Sequence, residues 1–98
     1  IPSTRLALWV GTGLLFIFDV PGEYFFWMKD MNFPIDIIWV GSDMRIVDLT
    51  ENASPESYPA EFISRTPAQY ILEVPAGTIK KQNFRVGDEA LFLPLQNP

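Results

Sequence analysis

Hydrophobic positions in this chain come in short runs, separated by Gly, Pro, Asn and Asp. Residues 35–40, IDIIWV, are β-branched and aromatic with one charge inside, Asp36. Gly41, Ser42, Asp43 and Met44 follow, and residues 45–50 return as RIVDLT. Two β-rich runs joined by a few turn-forming residues predict a hairpin. Residues 69–74 alternate: Tyr70, Leu72 and Val74 fall on one side, Gln69, Ile71 and Glu73 on the other. That period of two predicts a strand. Residues 14–18 predict another, after an irregular lead-in and a turn at Gly11, Thr12 and Gly13. Residues 23–28, EYFFWM, predict a strand covered on both faces, because neither alternate set is polar.

The segments between these runs carry turn chemistry. Pro21-Gly22 closes the first apolar run, and Pro34 forces Phe33 out of the helical region. Residues 51–67 hold three prolines and no sustained period, which predicts a long surface loop. Pro75 suits the first position of a helix, and residues 76–83 give about two turns ending near Lys80 and Lys81. Residues 89–95 predict a last strand. The sum is a mainly β, mostly antiparallel, barrel-like single domain over residues 1–98 with one short helix near residues 76–83.

Composition narrows the chemistry. The chain has 98 residues, 48% of them hydrophobic and 14% aromatic, which excludes intrinsic disorder. It has no Cys and no His, so disulfides, thiol nucleophiles, Ser-His-Asp catalysis and the usual zinc ligands are all excluded. A formal charge of −5 disfavours a nucleic-acid partner. The most apolar stretch, residues 6–18, is thirteen residues long with Gly11 and Gly13 in its middle. A spanning helix needs about 20 apolar residues, so no transmembrane span is expected.

Five blocks then occur in a recognisable order: GTGLLFIF at 11–18, FFWMKDMNFPIDIIWV at 25–40, ENASP at 51–55, PAQYILEVPAG at 67–77 and VGDEA at 86–90. Together they resemble a bacterial and archaeal family known as domain of unknown function number one hundred and ninety-two. The likeness covers residues 11–92. Asp30 and Met31 stand where that family usually has Asn and Thr. Members carry a longer segment before the first block, so the family's N-terminal strand is expected to be missing or truncated here. The resemblance implies a compact β-barrel-like domain, exported or membrane-anchored in relatives and hence extracytoplasmic. It implies no reaction and no cofactor.

The candidate chemistry centres on charges among aromatics. Lys29 and Asp36 lie in the most apolar part of the chain, and an unpaired buried charge is costly. With Trp27 and Tyr24 they could rim a pocket for a polar ligand. Alternatively, Asp36 pairs with Lys29 or with backbone amides and locks the turn around Pro34. Glu51, Glu73 and Asp36 supply carboxylates for glycan cleavage, which needs two of them about 5–5.5 Å or 6.5–9.5 Å apart. Asp43, Asp48 and Glu51 lack any EF-hand spacing, and no metal site is expected. Tyr58 and Phe62, in the long loop, are either open to a carbohydrate or protein partner or folded back as a lid. The expectation is therefore a ligand- or protein-binding module using Trp27, Lys29, Asp36, Glu51, Tyr58 and Glu73, without cofactor. The alternative is a carboxylate-dependent hydrolase acting on a glycan.

Overall fold

The computed structural model describes the backbone of residues 6–10 and all of residues 13–91. Seven strands and one helix follow in order: β1 (Leu6–Val10), β2 (Gly13–Gly22), β3 (Phe25–Phe26), β4 (Ile35–Val40), β5 (Ile46–Ala53), β6 (Phe62–Ile63), β7 (Ala68–Pro75) and α1 (Thr78–Gln82). Five of the strands form one sheet in the order β1-β2-β7-β4-β5, with every neighbouring pair antiparallel. β3 and β6 form a separate two-stranded ribbon.

All six residues of β4 are buried, because both faces of the sheet are covered. On one face Ile35, Ile37 and Trp39 pack with Ile71 of β7, Phe18 of β2 and the ribbon's Phe26. On the other, Ile38 and Val40 pack with Ile46 and with Ile79 of α1, and Phe84 and Ala90 extend that cover. A strand covered twice reads as a continuous apolar run rather than an alternating one. The β4–β5 hairpin forms as predicted. Its turn is closed by Gly41 N–H to the Arg45 carbonyl at 2.9 Å and Met44 N–H to the Gly41 carbonyl at 3.0 Å. A Cβ on Gly41 would stand 3.0 Å from Val47 Cγ1, so this turn favours glycine.

The mainly β, antiparallel architecture with one short helix is as expected, but the sheet stays open: β1 and β5 are its edges. Several boundaries differ from the sequence expectation. Residues 6–10 form a strand paired along its length with β2, not an irregular lead-in. Gly11 and Thr12, the expected turn, lie outside the described residues. β2 runs on to Gly22 with a register shift after Ile17, so Pro21 sits at an irregularity where its missing N–H is tolerated. The strand expected over residues 23–28 shrinks to Phe25–Phe26. The expected loop over residues 51–67 holds the end of β5, a 3₁₀ turn at Pro55–Ser57 and β6. Pro75 ends β7 rather than opening the helix, which starts at Thr78 behind Gly77 at φ +93°. Within the expected last strand, Glu89 makes only a bridge to Arg45; residues 92–95 lie outside the described residues. No helix among the described residues is long and apolar enough to cross a membrane.

Candidate functional site

Alternation along residues 25–29 builds the first candidate. Phe26 and Met28 point into the core, and their neighbours Phe25, Trp27 and Lys29 take the outer positions. Inside, Phe26 meets Phe16 and Trp39 edge-on at 5.1 and 6.3 Å. Outside, Trp27 meets Phe25 at 5.8 Å and Tyr58 at 5.4 Å, with interplanar angles of 81° and 61°. Lys29 Nζ lies 5.9 Å from the centre of the Trp27 ring, within cation–π range. Tyr58 is 42% exposed, carried into place by the 3₁₀ turn that precedes it. The result is a three-ring cluster with a cation on it, rooted in the core through β3. Tyr24 belongs elsewhere. Its ring stacks on Phe18 at 3.6 Å, and its hydroxyl donates to the Val20 carbonyl. Phe62 packs inward against the core beside Phe26.

Asp36 is fully buried, away from Lys29. Its Oδ1 accepts from Asn52 N–H at 3.0 Å, and its Oδ2 accepts from Gly77 N–H at 3.0 Å and Ile79 N–H at 2.9 Å. The first amides of a helix have no partner within it, and a carboxylate there is favoured by the dipole. Asp36 therefore ties β4 to the end of β5 and to the start of α1. Its pairing is with backbone amides, not with Lys29, and it locks α1 rather than the turn at Pro34.

The remaining acids separate. Glu51 is exposed on the edge strand β5, whereas Glu73 is half-buried on the central β7 with β4 between them. Leu14 and Ile37 flank Glu73 in register, and burial pushes its carboxyl above the ordinary 4.5. Among the described residues no three acidic side chains converge on a metal-sized site.

Sequence reading missed an ion pair. Asp48, with its side chain 7% exposed, takes Arg65 Nε at 3.2 Å and Nη2 at 2.7 Å, and also Arg65 N–H at 2.8 Å. Leu49 N–H adds a fourth donor at 2.9 Å. A lone acid between Val47 and Leu49 in a β run was the available signal; its cation lies seventeen residues on, across β6. Burial raises the Asp48 carboxyl, but the hydrogen bonds and charge of Arg65 outweigh it and hold it below 3.8. A folded-state value below the unfolded one stabilises the fold above about pH 4, and that stability goes as pH falls through the folded value. Urea midpoints of the wild type are expected to drop between about pH 5 and pH 2. Arg65→Met should be less stable at neutral pH and show a flatter acid limb; an unchanged limb would remove Asp48 from this role. Glu73 acts with the opposite sign, since a raised carboxyl favours the fold at low pH and costs stability as pH rises through its value.

Comparison with known proteins adds the following. The model of the DUF192 family, Uncharacterized ACR, matches residues 3–92. No curated protein matches the chain. A crystal structure from Sinorhizobium meliloti, described as a candidate transcription regulator, is similar at 39% identity and a TM-score of 0.73, over 79% of this chain and 59% of its own. A protein of unknown function from Novosphingobium aromaticivorans is similar at 29% identity and a TM-score of 0.74, over 82% of this chain and 58% of its own. The chain thus spans about three fifths of the length of these two relatives.

Proposed function

The chain belongs to DUF192, an uncharacterised family, and we propose that it is a binding module whose protein partner docks on Phe25, Trp27, Lys29 and Tyr58. One observation carries this: three rings meet edge-on at the surface, Tyr58 exposed and Phe25 and Trp27 half-buried, with the exposed Lys29 cation on the central one. Aromatic residues anchor protein interfaces because a rigid ring offers large contact area at low entropic cost. Rings inclined at 61° and 81° present edges and notches rather than one flat platform, which suits side chains of a partner better than a stacked sugar. Asp36, Glu51 and Glu73 stand outside this reading, because Asp36 is held by three amides and the two glutamates sit on strands that are not neighbours. The net charge of −5 speaks against direct contact with nucleic acid, whatever regulation the Sinorhizobium relative performs. An extracytoplasmic location belongs to the same proposal.

Selection of a phage-displayed peptide library on the protein tests it. Selected peptides are expected to bind Trp27→Ala and Tyr58→Ala at least about tenfold more weakly, with the thermal midpoint nearly unchanged. Equal binding by both variants, or binding of polysaccharides alone, would overturn the assignment.

A further inference from the structure

A second site, on the opposite face of the sheet, is independent of the aromatic cluster. The floor of this groove is Ile38, Val40, Ile46 and Leu72, contributed by β4, β5 and β7. Phe84 and Ala90 form part of the wall, on the segment that follows α1. That segment is held in place by its backbone: Ile46 N–H donates to the Asp88 carbonyl at 2.8 Å, Gly87 N–H to the Ile46 carbonyl at 2.8 Å, and Ala90 N–H to the Met44 carbonyl at 2.7 Å. The wall is therefore clamped to the edge strand. The groove is open to solvent along one side and has a volume of about 550 Å³, within the range of small-molecule sites.

The polar groups at this groove have a sign. Its ionisable lining residues are Asp88 and Glu89, and no Lys or Arg is among the described residues that line it. Asp88 uses Oδ2 to accept from Arg85 N–H at 2.9 Å, which fixes the carboxylate in the turn. Arg45, across the bridge from Glu89, places its guanidinium on the Gly87 carbonyl at 3.1 Å instead. An apolar floor with an acidic rim repels a fatty carboxylate and favours a protonated amine. We infer that this groove binds a small cationic amphiphile, an apolar chain or ring carrying an ammonium head, with the body on Leu72 and Phe84 and the head at Asp88 and Glu89.

Titration of the protein with octylammonium chloride, octanoate and octanol, followed by amide NMR, tests the inference. Octylammonium is expected to shift the amides of Leu72, Phe84 and Ala90 and to bind at least about tenfold more tightly than octanoate. Glu89→Gln should narrow that gap while leaving octanol unchanged. Ala90→Trp should fill the groove and abolish binding. Should that variant fail to fold, Leu91→Lys at the exposed rim should weaken octylammonium and strengthen octanoate. Octanoate binding as tightly as octylammonium, or shifts confined to Trp27 and Tyr58, would overturn the site. So would a concentration-dependent dimer broken by these variants, which would assign the groove to a second copy of the chain.

Discussion

Asp36→Ala is expected to lower the unfolding free energy by about 4 kcal/mol, because three backbone N–H groups lose their shared acceptor at once. A buried donor left without a partner costs about 1–3 kcal/mol: the buried Ile79 N–H stands toward the upper end, and the part-buried Asn52 and Gly77 amides, which water can reach, toward the lower. The urea midpoint should fall with little change in the slope. Asp36→Asn should land between wild type and alanine, since one oxygen remains while the new NH₂ faces amide donors. Hydrogen exchange should report the same change locally, with lost protection at Gly77 and Ile79. Lys29→Ala, at an exposed position, should stay within about 0.5 kcal/mol of wild type. A loss below about 1 kcal/mol for Asp36→Ala would mean that the α1 amides find other partners.

Trp39→Ala is expected to cost about 4 kcal/mol as well, through the cavity left by the largest fully buried side chain among the described residues. The indole does two jobs. Its Nε1–H donates to Thr50 Oγ1 at 3.0 Å, joining β4 to β5, and its ring meets Phe26 of the ribbon at 6.3 Å. Truncation removes the surface on which β3 rests, so Phe25 and Trp27 should lose their fixed arrangement with Tyr58. Peptides selected on the wild type should therefore bind this variant poorly even under conditions where it remains folded. Trp39→Phe keeps the ring contact and loses the hydrogen bond, for which about 1–2 kcal/mol is expected. If Trp39→Ala kept wild-type peptide affinity, the ribbon would be held by Phe16 and Met28 rather than by the indole.

The parts of the fold legible from the chain are those where one local rule suffices. The β4–β5 hairpin and β7 combine β-branched or alternating runs with turn residues at their ends, and both stand where expected. Residues 6–10 differ from the expected irregular lead-in because what makes them a strand is pairing with β2, which their own short apolar pattern does not mark. The ribbon is shorter than the strand its aromatics predict, since only two residues on each side pair.

The candidate site divides in the same way. Trp27 and Tyr58 could be singled out as aromatic candidates from the chain, and parity counted from the core residues Phe26 and Met28 would have sent Lys29 outward too. Asp36 could be flagged as a charge in need of partners. Those partners are amides 16, 41 and 43 residues away, and a backbone N–H leaves no mark in residue type. The acidic groove was not legible at all, since its floor comes from three strands and its wall from a segment beyond the helix.

The sheet order has a consequence for how the chain is made. β7, encoded in the last third of the sequence, is the strand that joins β2 to β4. As the polypeptide leaves the ribosome, the two earlier hairpins can each close on their own residues, but they have no shared border until residues 68–75 emerge between them. Nascent chains stalled before Ala68 should therefore expose two sticky half-sheets to chaperones, and release of a few further residues should convert them into one protease-resistant body.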